Sequence, residues 1–352
     1  MSSDFSGMIE KIRSQEAGMS AAALSLKQHA PVQHAKAGLL EDSAVIGCEP
    51  NTSFSGTITA VDGGIVSEDY QSCQLVLYRA VCAAFGYENG KVCRKACHPS
   101  GLDGFESVLL DSFDESDSMQ RDSIIRLRSE IARARESIKL FSPSMVFLDG
   151  SIFPNPQDRP PKESAAAADF EALLADYKQL FLECAKQNIA LVGVVKDSKS
   201  RTFLDALRKS DGFSLFYSSH SKFLSRTNDS AFLSMGLCEN QRSGLAKIER
   251  PDLGNGFCST TPAATYLKAA AYDRPLRLEF SDCTKAQEAC NIICALCKGN
   301  SRYAYPSILI EADLRAAMNP AELEVAYARL CAKLGPDAVS LRRLRRNERP
   351  FR

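Results

Sequence analysis

The sequence predicts an α/β protein in which a mixed sheet, an antiparallel meander continued by parallel strands, is flanked by helices. Three observations lead there. Two β-rich runs, "GTITAVDGG" and "CQLVLYRAVCAAFGY", precede "ENGKVCRKAC", in which Asn89-Gly90 tolerates positive φ and suits a tight hairpin turn. Ile124, Leu127, Ile131, Ala134 and Ile138 then recur at the three-and-four spacing of a helix over 117–141. Finally, "SMVFLDG" and "IALVGVVKDS" are short apolar strands separated by a second helical stretch over 165–187, and the latter is of the kind buried on both faces.

In chain order, residues 1–45 read as an N-terminal helical arm, with Ile9, Ile12, Ala22 and Leu26 at loose helical spacing. Residues 46–335 read as one elaborated domain, since no Gly/Ser linker divides them. Asp117 or Ser118 is expected to cap the helix over 117–141, and the Pro-rich "FPNPQDRPPKES" follows the strand ending at Asp149. "KSRTFLDALRKS" reads as a helix with Asp197 as its cap, and a loop-rich stretch is expected to about 275. The strand "LRLEF", the helix "KAQEACNIICALC" and a helical ending complete the domain. Residues 336–352 form a tail with Arg342, Arg343, Arg345, Arg346, Arg349 and Arg352, which serves either as a solvated end or as a phosphate or partner contact.

With 352 residues, 45% of them hydrophobic and 24% charged, the chain is large enough for one big core. Its formal net charge of zero supplies no global field for a polyanion, so any nucleic-acid site must rest on local clusters. No apolar run approaches the roughly 18 residues of a membrane helix, and the N-terminus lacks a signal-peptide core, so a cytosolic protein with no membrane contact is expected. The 13 cysteines are scattered through apolar patterns, and most read as buried thiols. Cys290, Cys294 and Cys297 fall on a helical core stripe with Ile293, and Cys93, Cys97 and His98 lack the paired knuckles of a zinc site. The four histidines sit in no nucleophile-base motif, and no phosphate-binding loop of the G-x-x-x-x-G-K-[ST] type occurs.

Asp62 in "AVDGG" and Asp149 in "FLDGS" each end an apolar run and precede glycine. A carboxylate there needs compensation, either from backbone N–H groups of a turn or from a divalent cation. Two such motifs together favour a shared site for a hard cation, Mn²⁺ or Mg²⁺, which takes oxygen ligands from several converging carboxylates. Glu130 on the helix over 117–141 supplies a third, with Glu136 as its competitor. Lys196, Lys199 and Arg201 in "KDSKSR" form a candidate DNA-phosphate contact.

Taken together, "AVDGG", "FLDGS", "LVGVVKDSKSR" and "YAYPSILIEADLRA" resemble the NurA family of DNA-end-processing nucleases over residues 56 to 318. The resemblance implies an RNase H-like core, a homodimer, and Mn²⁺-dependent 5′-3′ exonuclease and single-strand endonuclease activity in DNA end resection with a HerA-type hexameric helicase. By the same resemblance Asp62, Glu130 and Asp149 match metal-binding carboxylates, Lys196 and Tyr305 match catalytic positions, and Asp313 stands where many members carry His. An Asp can replace His as an oxygen ligand but not as a near-neutral acid or base. Two other readings compete: a catalytically decayed subunit that binds DNA or the helicase, and an actin-like ATPase, for which "DLGNGFCSTT" is a poor adenosine loop.

Overall fold

Fourteen consecutive residues around Asp62 form one long strand, and the rest of the molecule is arranged about it. The computed structural model describes residues 5–28, 38–101, 104–111, 115–254, 256–299, 301–335 and 339–345. The first part comprises α1 (Phe5–Gln28), β1 (Val45–Gly47), β2 (Gly56–Asp69), β3 (Cys73–Glu88), β4 (Lys91–His98) and β5 (Glu106–Asp111). The middle comprises α2 (Glu115–Phe141), β6 (Met145–Asp149), α3 (Ala167–Lys186), β7 (Ala190–Val195) and four short helices, α4 (Thr202–Lys209), α5 (Ser214–Ser219), α6 (Ser221–Leu224) and α7 (Asp229–Gly236). The last part comprises β8 (Gln241–Ser243), β9 (Ala246–Lys247), β10 (Ala263–Lys268), β11 (Leu276–Phe280), α8 (Ala286–Leu296), α9 (Ser307–Ala316) and α10 (Pro320–Leu334).

The strands form one 11-stranded sheet in the order β1-β8-β10-β11-β7-β6-β2-β3-β4, with β5 beside β3 and β9 beside β10. Its centre is the expected RNase H-like arrangement: β2, β3 and β4 are an antiparallel meander, and β6 and β7 continue it parallel to β2. Asn89 (φ 48°) and Gly90 (φ 75°) make the hairpin turn between β3 and β4, as their tolerance of positive φ predicts. One core lies between the sheet and α8–α9, built on residues such as Phe147, Val192, Cys290, Cys294 and Ile308. The opposite face packs on α2 and α3 through Ile131, Ile138, Phe170 and Leu180. Each such fully buried aliphatic or aromatic side chain contributes about 1.5–3 kcal/mol.

Several local expectations are corrected. The stretch expected as loop to about 275 contains β10, whose "AATYLK" is buried almost throughout and therefore lacks the period-two alternation that marks a half-exposed strand. Because α2 begins at Glu115, Asp117 and Ser118 lie within the helix and do not cap it. Nor does Asp197 cap α4, since it pairs with Arg274 at 2.8 Å on the surface. The buried carboxylate of Asp229, arriving from α7, instead accepts the backbone N–H groups of Phe203 and Leu204 at 2.9 and 3.0 Å. In α1 only Met19, Ala22, Ala23 and Leu26 are buried, whereas Ile9 and Ile12 are exposed. The chain from Leu39 is built into the sheet edge, where buried Arg242 meets Glu41 through a bidentate pair at 2.6 and 2.7 Å. The described part of the Arg-rich tail is anchored: Arg343 bridges to Tyr70, pairs with Glu324 and lies 4.7 Å over the Tyr327 ring. Arg346, Arg349 and Arg352 lie outside the described residues.

Candidate metal centre

Asp62 does not end its strand. Pairing of β2 with β6 stops at Val61↔Leu148, but pairing with β3 continues through Asp62↔Val81 to Asp69↔Gln74. The two central strands therefore part company one residue before Asp62, and the gap opens at the carboxyl ends of the parallel strands, where open α/β sheets bind ligands. Asp149 is the last residue of β6, and Lys196 follows β7 directly. Gly150 (φ 125°) turns the chain away after Asp149 while its N–H donates to the Val194 carbonyl at 3.0 Å.

The third carboxylate comes from a distant part of the sequence. In α9, Ile308, Leu309, Ala312 and Ala316 face the core, which leaves Asp313 on the rim beside the gap, 54% exposed. Gly64 sets how closely this helix can approach, because a Cβ there would lie 2.1 Å from the Ala316 carbonyl oxygen. Arg79 of β3 secures the end of the helix by donating to the Arg315 and Ala317 carbonyls, both at 3.4 Å, and to Glu322 at 2.8 Å. A cation at a helix C-terminus is favoured by the helix dipole as well as by these bonds.

One carboxylate oxygen each from Asp62, Asp149 and Asp313 lies within 4.8 Å of the others. Like charges this close resist joint ionisation. Burial first, then the Asp149 charge, push Asp62 up to about 7, against the pull of the Gly63 N–H that donates to it at 2.7 Å. Lys196 sits among the same carboxylates, with Nζ 2.8 Å from Asp149, 3.7 Å from Asp313 and 4.6 Å from the ring centroid of Tyr305. Although burial pulls the other way, these carboxylates hold the ammonium above its usual range. Tyr305 is buried beneath it and donates to the Val194 carbonyl at 3.3 Å.

Glu130 approaches from the α2 side through the space left by Gly63, where a Cβ would lie 2.6 Å from Glu130 Oε1. Burial pushes its carboxyl up to about 8 with a further contribution from Asp62, while Arg126, one turn earlier, contacts it directly and pulls it down. It lies outside the close Asp trio but within electrostatic reach of it. Its competitor Glu136 is turned to His98 at 3.0 Å and Arg133 at 2.6 Å. Arg201, expected at a DNA phosphate, is instead spent on the Leu224 and Thr227 carbonyls and the Tyr217 hydroxyl, and so ties α4 to the α5–α7 segment. Lys199 is exposed at the rim of a cavity of about 820 Å³ beside the centre. The sequence reading missed Arg79 and Arg126. The i,i+4 spacing of Arg126 and Glu130 was a visible signal for the second, whereas nothing local marks the first.

The family known as the NurA domain matches residues 56–318. The chain belongs to the NurA family. Among solved structures it is similar to the NurA nuclease from Sulfolobus solfataricus, at 14% identity over 93% of this chain and 97% of that one, with a TM-score of 0.54. A second NurA structure is 12% identical over 97% of this chain and all of its own length, with a TM-score of 0.50. A third, NurA with manganese, is 10% identical over 83% and 93% of the two chains, with a TM-score of 0.47. No curated protein matches the sequence. Membership makes this chain a nuclease of the NurA type, and the donor set of its centre suits a metal ion: oxygen atoms only, from three elements, on a partly exposed rim. No helix among the described residues is long and apolar enough to cross a membrane.

Proposed function

We propose that the protein is a divalent-metal-dependent deoxyribonuclease that hydrolyses phosphodiester bonds at the opening between β2 and β6. The observation that carries this reading is the approach of Asp62, Asp149 and Asp313 to within 4.8 Å, with Lys196 between two of them. A bound Mn²⁺ or Mg²⁺ supplies Lewis-acid stabilisation of phosphoryl charge and a nucleophile at neutral pH. Asp62, Asp149 and Asp313 hold the ion, and Glu130 adds a carboxylate behind Asp62. Lys196, released from part of its carboxylate environment, offers its ammonium to the scissile phosphate as a point charge. Tyr305 keeps that ammonium over the centre. Asp313 in place of His retains an oxygen ligand, which favours a working centre over a decayed binding subunit.

The family resemblance extends the proposal to 5′-3′ exonuclease and single-strand endonuclease action in cytoplasmic DNA end resection, by a homodimer working with a HerA-type hexameric ATPase. The test is digestion of end-labelled single- and double-stranded DNA by wild type, Asp62→Asn and Asp149→Asn in Mn²⁺, Mg²⁺ and EDTA. Cleavage that needs metal and both carboxylates is the expected result. Activity retained in EDTA, or in Asp62→Asn, overturns the assignment.

A further inference from the structure

Beside the metal centre, one aromatic side chain is half exposed to solvent. Tyr303 lies in the segment between α8 and α9, 49% exposed, with its ring centroid 6.0 Å from that of Tyr305 and tilted by 42°. Tyr305 is the buried ring beneath Lys196, so Tyr303 continues outward from the same ammonium that faces the carboxylates. The segment is fixed in place: the Ala304 N–H donates to Asp273 at 2.6 Å, and the Tyr305 N–H donates to the Tyr303 carbonyl at 3.1 Å. The turn that holds Asp273 presents Tyr272, 81% exposed, and is pinned to the loop after Lys196 by Arg274–Asp197 at 2.8 Å. Tyr303 and the cation Lys196 thus stand on the same side of the carboxylate opening.

We propose that Tyr303 is a stacking platform for the nucleobase next to the scissile phosphate, which selects single-stranded or frayed ends over paired duplex. The inference rests on the nuclease reading above. A base in an intact duplex has its faces occupied by neighbours, whereas a single-stranded base is free to lie on a tyrosine, and stacking of this kind tolerates every base because each has a π-face. Lys196 provides the adjoining contact for the backbone, so charge and aromatic surface together fit one nucleotide step. Tyr303 binds substrate on this account but takes no part in the bond-breaking step.

The experiment uses the full chain and a fluorescein-labelled oligodeoxythymidylate, alongside an oligonucleotide of equal length made of abasic residues. Equilibrium binding is read by anisotropy in EDTA, and cleavage is read separately in Mn²⁺. Tyr303→Ala is expected to weaken binding of the base-bearing strand and raise its KM about tenfold, with Tyr303→Phe close to wild type. The abasic strand should bind wild type and Tyr303→Ala alike, a comparison that a general folding defect would not reproduce. Equal binding of the base-bearing strand by wild type and Tyr303→Ala overturns the stacking role, and so does an equal loss on both strands. A wild type that binds with the predicted pattern but cleaves nothing sinks the nuclease reading and leaves the platform standing. A wild type that binds neither strand in EDTA and cleaves neither in Mn²⁺ overturns both.

Discussion

Replacing Asp62 with Asn should stabilise the metal-free protein while destroying its response to metal. Asp62 is faced by Asp149 from β6, Asp313 from α9, Lys196 after β7, and Glu130 with Arg126 from α2, and burial with the first two carboxylates pushes it up to about 7. The unfolded chain releases this proton near pH ~4, so between about 4 and 7 the native state holds more protons, and stability falls as pH rises. The full shift corresponds to about 4 kcal/mol at most, and partial hydration of the side chain reduces the expectation to about 2 kcal/mol. Urea unfolding in EDTA near pH ~8 should therefore show Asp62→Asn more stable by about 2 kcal/mol, with the difference gone near pH ~4, where both side chains are neutral. In Mn²⁺ at about a hundred times its dissociation constant, wild type should gain about 2.7 kcal/mol and the variant far less. A variant no more stable than wild type in EDTA at the higher pH would refute the reasoning, since the carboxylate would then be no burden to the fold.

Other substitutions separate chemistry from architecture. Lys196→Met should lower the single-turnover cleavage rate by roughly a hundredfold or more at saturating metal, because it removes the ammonium that lies between Asp149 and Asp313. Gly64→Ala, whose Cβ would meet the Ala316 backbone, should cost about 1–3 kcal/mol of stability and weaken metal binding in calorimetry. Gly63→Ala first meets the buried Glu130 side chain rather than backbone, so activity should fall while the urea midpoint shifts less than for Gly64→Ala. Glu41→Ala strands the buried guanidinium of Arg242 and should cost about 3–5 kcal/mol, with metal affinity of the folded fraction unchanged.

The layered fold was legible because its signals are local. A helical repeat from Ile124 to Ile138, an Asn-Gly turn and two apolar strands each announce themselves within a few residues. Asp62 and Asp149 stood out by contrast, a charge at the end of an apolar run. That β2 runs on past Asp62 was hidden, since Asp-Gly-Gly reads as a turn and only the pairing with β3, set by the partner strand, keeps it extended. β10 escaped notice because burial on both faces erases alternation. Asp229 as the cap of α4, and Arg79 as the clamp on α9, act across spans of sequence that no short window covers. Arg201 carries the right charge in the right loop, and only the carbonyls around it reveal that its work is internal.

The placement of Asp313 has a consequence for the life of the chain. Asp62 and Asp149 belong to strands that leave the ribosome well before α9 does. Until α9 has docked against Gly64, the newly made protein has two of the three close carboxylates and a loosely held ion site at best. Docking of α9 thus completes the trio of carboxylates, which comes together only once the sheet and this late helix are packed against each other. Chains cut short before Asp313 lose part of the core between the sheet and α9 together with the third carboxylate, so they should be both less stable and inactive.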